Sequence, residues 1–232
     1  MLTLETIGIT FVVGLALWRA FPLIQKTPSL MKKFDPCMGK WWEAEIEECQ
    51  LNTGQLPVEP INTYSNLAYL AAGWVTFRTI GGLPAGMLAL AMAYLCVGSA
   101  LYHGVKTIWA AALDHSGMYA VFAALAFYAM APLHPWIIVP MAIGSVAAAY
   151  FLRYEFAGKV EVRMGILLSL TFVAAIFRGH PWLGVGSMVL FGLAYAIWIM
   201  GKKRIFWGRW GHGLWHLLTA AAISMMFAGL TP

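Results

Sequence analysis

The sequence predicts an all-α polytopic membrane bundle of seven transmembrane helices, preceded by one extra N-terminal hydrophobic helix. Three observations carry that expectation. Of the 232 residues, 61% are hydrophobic and 11% charged, against about 45–50% and about 25% in soluble domains. The apolar residues gather into runs near the roughly 20 needed to cross a hydrocarbon core of about 30 Å. The basic residues fall in the joints between those runs, and mostly on one side.

The first run covers residues 3–24. It has no basic start, since its only early charge is Glu5, and 25–28 (Gln-Lys-Thr-Pro) is a poor cleavage site. It therefore reads as a retained helix, residues 1–24, with Arg19 snorkelling from near its end. Residues 25–58 form a polar segment with four lysines and a cluster of acids. Residues 59–232 hold seven further runs, at 60–77, 84–103, 110–131, 135–151, 162–177, 183–200 and 212–230. Pro60, Pro84 and Pro135 fall at helix starts, where a missing N–H costs nothing. The joints are short, so sequential helices should be antiparallel neighbours. His-Pro-Trp occurs twice, at 134–136 and 180–182, which reads as tryptophan anchoring at the membrane interface.

Charge sorting gives a sidedness. One side receives Lys26, Lys32, Lys33, Lys40, Lys106, Arg153, Lys159, Arg163, Lys202, Lys203, Arg204 and Arg209, while the other holds Arg78 and Arg178. The positive-inside rule makes the first side cytoplasmic, so the bundle ends with its C-terminus outside. The compact loops point to a bacterial inner membrane. The net charge of +5 is this topology signal, so no nucleic-acid partner is implied. Cys37, Cys49 and Cys96 show no CxxC spacing and an odd count, which speaks against a disulfide framework.

Placed on that topology, the polar residues of the helices converge. Ser99 and His103 end the second core helix, Asp114 opens the third, and His212 and His216 open the seventh. Glu59, Asn62, Ser65 and Asn66 open the first. All lie at the cytoplasmic level, and ionisable residues inside apolar spans are costly enough to mark a functional site. Ser99 and His103, like His212 and His216, are four apart and share a helix face. Three neutral imidazoles are a frequent zinc set with a fourth position left for water, whose pKa falls to about 7 on the metal. Asp114 can take the water's proton, and Ser99 can donate to a developing oxyanion.

The pattern Glu59-x-x-Asn62-x-x-Ser65-Asn66, Gly98-Ser99-x-x-x-His103, Asp114 and His212-x-x-x-His216 resembles the alkaline ceramidase family. That family sits within the seven-helix membrane hydrolases that include the adiponectin-type receptors. The resemblance runs from about Glu47 to Phe227. It implies zinc on His103, His212 and His216, with Ser99 and Asp114 in the roles given above. It further implies hydrolysis of the amide of ceramide or a similar N-acyl lipid to a fatty acid and a sphingoid base, with membrane lipid as surroundings. It also implies a calcium site in the acidic segment, for which Glu47, Glu48, Gln50, Asn52 and Glu59 are the oxygen candidates. Gln50 stands where the family usually carries a carboxylate.

Other function classes fit less well. A lipid esterase or phospholipase-like hydrolase would use the same zinc chemistry, and a seven-helix receptor would retain its geometry. A transporter needs ionisable residues along a path open to both sides, and the outward half offers almost none. A retinal protein needs a lysine for its Schiff base, absent from 212–230.

Overall fold

The structure, a computed structural model, describes residues 3–27, 29, 55–129, 180–202 and 210–231. Every element in these residues is helical. In chain order they are α1 (Leu4–Gln25), α2 (Pro60–Ser65), α3 (Leu67–Ile80), α4 (Gly82–Val105), α5 (Ile108–Ala129), α6 (Pro181–Lys202) and α7 (Trp210–Leu230). Four of them, α1, α4, α6 and α7, are long and apolar enough to cross a membrane. The chain thus has the character of an integral membrane protein. The expected spans at 135–151 and 162–177 lie outside the described residues.

Helix α1 begins on a side-chain cap, the Thr3 hydroxyl accepting from Thr6 N–H at 3.2 Å. Such a bond satisfies one of the donors that a helix start leaves unpaired. Its outer face leaves Leu4, Ile7, Phe11 and Trp18 exposed, while Leu17, Phe21 and Ile24 are buried. That inner stripe packs on Ala100, Val105 and Ala110, so the segment read as a retained helix is docked on α4 and α5. At its other end Glu5 pairs with Arg78, at the close of α3, across 3.4 Å. Helix α1 therefore lies along α3 and α4 with both ends fixed.

The expected first core helix is divided at Asn66 into α2 and α3. Helix start and composition agree with expectation, since Pro60 is the first helical residue. The division has a local cause. The Asn62 carbonyl accepts from the Asn66 side-chain amide at 2.7 Å and from the Ser65 hydroxyl at 3.0 Å. Side chains that bond nearby carbonyls compete with the backbone ladder. Helix α4 starts at Gly82 rather than Pro84, which sits inside the first turn where the backbone N–H has no helical partner to lose. Gly81 and Gly82, at φ 73° and 76°, make the tight reversal from α3.

Close approaches at small residues hold the long helices together, as is usual between helices in lipid. A Cβ on Gly98 of α4 would lie 2.7 Å from the Leu113 carbonyl oxygen of α5, and one on Gly117 of α5 would lie 2.8 Å from Leu95 Cα. Helices α6 and α7 form an antiparallel pair. His180 N–H donates to the Gly229 carbonyl at 2.8 Å at one end, and Gly211 abuts Gly201 at the other. The core between them and α3–α5 contains Leu88, Met92, Leu95, Val121, Leu125, Met226 and Phe227. It is apolar throughout. The buried ionisable groups gather at one end.

Candidate metal centre

That end is built from the last turn of α4, the first turns of α5 and α7, and α2. His103 lies on α4, His212 and His216 on α7. Their candidate ligand nitrogens all fall within 4.8 Å of one another. The ring centroids are 4.6 Å apart for His103 and His212, 5.2 Å for His103 and His216, and 4.8 Å for His212 and His216. His103 and His216 are buried and His212 half-buried.

Hydrogen bonding fixes how two of the rings present themselves. The Ser65 hydroxyl has one proton, which it gives to the Asn62 carbonyl, so toward His216 Nδ1, 2.8 Å away, its oxygen is an acceptor. The Asn62 backbone also bonds this ring. His216 therefore carries its proton on Nδ1 and keeps Nε2 bare. His103 Nδ1 lies 2.5 Å from Glu59 Oε2, an acceptor-only carboxylate oxygen, and 3.3 Å from Lys106 Nζ, a donor; the much shorter carboxylate contact favours the same tautomer. An imidazole whose outer nitrogen donates to a carboxylate or oxygen acceptor is the usual form of a metal-ligating histidine.

The donor set fits zinc. Tetrahedral coordination at about 2.0–2.1 Å places nitrogens about 3.3 Å apart, and the candidate ligand atoms of the trio lie within 4.8 Å of one another. Ser99 and Asp114 stand beside the trio. Both are buried, the Ser99 hydroxyl bonds the Asp114 side chain, and the His212 ring and Lys106 are among the charged neighbours of that carboxyl. Tyr69 closes one wall, its ring centroid 5.8 Å from that of His216 and its hydroxyl 2.7 Å from Thr219 Oγ1.

Glu59, expected from the resemblance as a calcium oxygen, occupies a different setting. Its Oε1 is 2.6 Å from Lys106 Nζ, and its Oε2 meets His103 and, at 3.1 Å, the Asn62 amide. Glu47, Glu48, Gln50 and Asn52 lie outside the described residues. Lys106, grouped above with the basic residues of the cytoplasmic-side joints, is 2% exposed. It caps α4 in the left-handed conformation at φ 50°, the only non-glycine among the described residues with positive φ. Its side chain folds back over the Tyr102 ring, with Nζ 4.5 Å from the centroid.

The backbone explains why Glu59 reaches His103 across 44 positions of sequence. A helix C-terminus leaves its last carbonyls without partners. Here Val58 N–H donates to the Gly104 carbonyl at 2.9 Å and Glu59 N–H to the His103 carbonyl at 3.1 Å. The chain entering α2 is thereby strapped across the end of α4. Gly104 also makes room for α1 beside this strap, because a Cβ there would lie 2.1 Å from Phe21 Cε1. Sequence reasoning did not find the Glu59–Lys106 pair. The available signal was a lysine three residues after a candidate ligand, at the end of an apolar span. Comparison with protein-family models, with curated proteins and with solved structures finds no match.

Proposed function

We propose that this chain is a zinc-dependent integral-membrane hydrolase that cleaves the amide of ceramide or a similar N-acyl lipid, releasing a fatty acid and an amine. The observation that carries the reading is the histidine trio, with the outer nitrogens of His103 and His216 engaged by Glu59 and Ser65 and the Ser99–Asp114 pair alongside. Zinc on such a trio would supply a Lewis acid and a water acidified enough to act near neutral pH. His103, His212 and His216 would hold it. Asp114 accepts the proton of the attacking water and passes it to the leaving amine. Ser99, bonded to Asp114 in the resting site, turns its hydroxyl to the substrate carbonyl oxygen as negative charge develops there. Burial of both side chains strengthens these interactions, since little water competes for them. The polar layer sits at the helix ends, where a lipid amide lies with its acyl chain directed into the apolar half. The same sidedness assigns this layer to the cytoplasmic leaflet.

The test uses purified full-length protein in detergent. Zinc is measured by elemental analysis in the parent, His103→Ala and His216→Ala, and hydrolysis with N-acyl sphingosines beside matched ester lipids. The expected result is near-stoichiometric zinc in the parent, its loss in both variants, and amide cleavage. A parent that holds no zinc sinks the metal assignment. A zinc-loaded parent that leaves N-acyl lipids intact, or cleaves only the esters, sinks the amidase assignment.

A further inference from the structure

The surroundings of His103 carry an inference that rests on the metal reading above. Glu59 is completely buried, and a carboxylate removed from water requires a counter-charge with good geometry. Lys106 provides it at 2.6 Å, and its placement is not the default one. A lysine at the end of a transmembrane helix ordinarily extends to the interface. Lys106 instead takes a left-handed backbone conformation that disfavours side chains and sends its ammonium inward across Tyr102. Residues held in sparsely populated backbone regions persist where the surroundings over-determine them, and they cluster at functional sites.

We propose that Lys106 is a positioning residue for the metal centre. Its ammonium holds Glu59 against His103 and fills the place beside that carboxylate which a divalent cation would take. The centre is thus assembled with an internal cation and without calcium. Calcium binds oxygen ligands at about 2.3–2.6 Å, and the ammonium nitrogen already stands within that range of Oε1, at 2.6 Å. The other oxygen already accepts from His103 and Asn62. Lys106 Nζ also stands 3.3 Å from His103 Nδ1, but an ammonium only donates and Nδ1 gives its proton to Glu59, so the link runs through the carboxylate: Lys106 orients Glu59, and Glu59 fixes the Nδ1–H of His103.

The experiment measures zinc affinity by chelator competition on the full-length protein in detergent, with calcium added or removed by a calcium-selective chelator. Lys106→Met, Glu59→Gln and the double variant form a cycle, and cobalt substitution gives a visible spectrum of the centre. Loss of an outer partner of a metal-bound histidine typically costs 10–100-fold in affinity. Each single variant is expected to weaken zinc binding about tenfold or more and to alter the cobalt spectrum. The double variant should be no weaker than Glu59→Gln alone, because both act through one carboxylate. Calcium should leave the wild type unchanged. Wild-type affinity and spectrum in Lys106→Met, or losses that multiply in the double variant, overturn the proposal alone. Calcium-dependent zinc retention in the wild type overturns it even if Lys106→Met does not fold. A wild type that binds no zinc overturns both this proposal and the metal reading.

Discussion

Replacing Gly98 by alanine probes whether Ser99 and Asp114 work as a unit. Gly98 sits one residue before Ser99 on α4, and its Cα faces the Leu113–Asp114 peptide of α5. An added Cβ would lie 2.7 Å from the Leu113 oxygen, 2.8 Å from its carbonyl carbon and 3.1 Å from the Asp114 nitrogen. These are backbone atoms and cannot rotate away. Ordinary contact begins at 3.4 Å, so α4 and α5 must part locally by about 0.7 Å. Overpacking of this kind costs about 1–3 kcal/mol. The displacement falls on the Ser99–Asp114 bond, and misplacements near 1 Å cost about 100-fold in rate, so a loss of roughly 10- to 100-fold is expected. Moving α5 outward displaces none of the three histidines, which are carried by α4 and α7, so zinc content should stay at the parental level. The assay pairs turnover of an N-acyl lipid in micelles with elemental analysis and thermal unfolding. Gly192→Ala, whose Cβ meets nothing within 4 Å, is the neutral control. Parental turnover and stability in Gly98→Ala would refute the close crossing, and zinc loss in step with activity would refute the separation of the two roles.

Four further outcomes follow from the same geometry. Asp114→Asn should retain zinc while hydrolysis falls by about 10²–10⁴, the usual worth of a positioned acid–base group; parental turnover would remove Asp114 from the chemistry. Ser65→Ala deprives the His216 Nδ1–H of its hydroxyl acceptor and should weaken zinc binding about tenfold in chelator competition, whereas unchanged affinity would mean that the tautomer is set elsewhere. Phe21→Ala empties a fully buried site between α1 and Gly104, and burying no ring there should cost about 3–5 kcal/mol. Gly104→Ala clashes with Phe21 in the parent, so it should be better tolerated in the Phe21→Ala background when thermal unfolding is compared.

The parts of this molecule that follow from local pattern were legible in the sequence. Apolar runs gave α1, α4, α5, α6 and α7 to within two or so residues at their ends, because in lipid the span length is set by hydrocarbon thickness. The gathering of Ser99, His103, Asp114, His212 and His216 was legible too, since alternating helix directions put those ends at one level. What was not legible depends on bonds between distant residues. The division at Asn66 comes from two side chains taking one carbonyl, which hydropathy does not register. The burial of Lys106 was not legible either, because composition carries no sign of a left-handed cap. The resemblance offered Glu59 as a calcium oxygen; its contacts with His103 and Lys106 follow from the strap that lays Val58 and Glu59 over the end of α4, which the sequence pattern does not register.

Helix α1 has a consequence for biogenesis. Only 17% of its apolar window is buried, and what is buried meets residues of α3, α4 and α5. Those partners leave the ribosome well after α1 itself. Until the residues up to Gly104 have been made, Phe21 has no seat, and α1 lacks the partners it packs on. Lipid tolerates this, because its outer face is apolar and its backbone groups are satisfied within the helix. Docking of α1 therefore belongs to the association stage that follows insertion. The strap joins residues 58 and 59 to the carbonyls of 104 and 103, so it too needs the end of α4 in place before it can close.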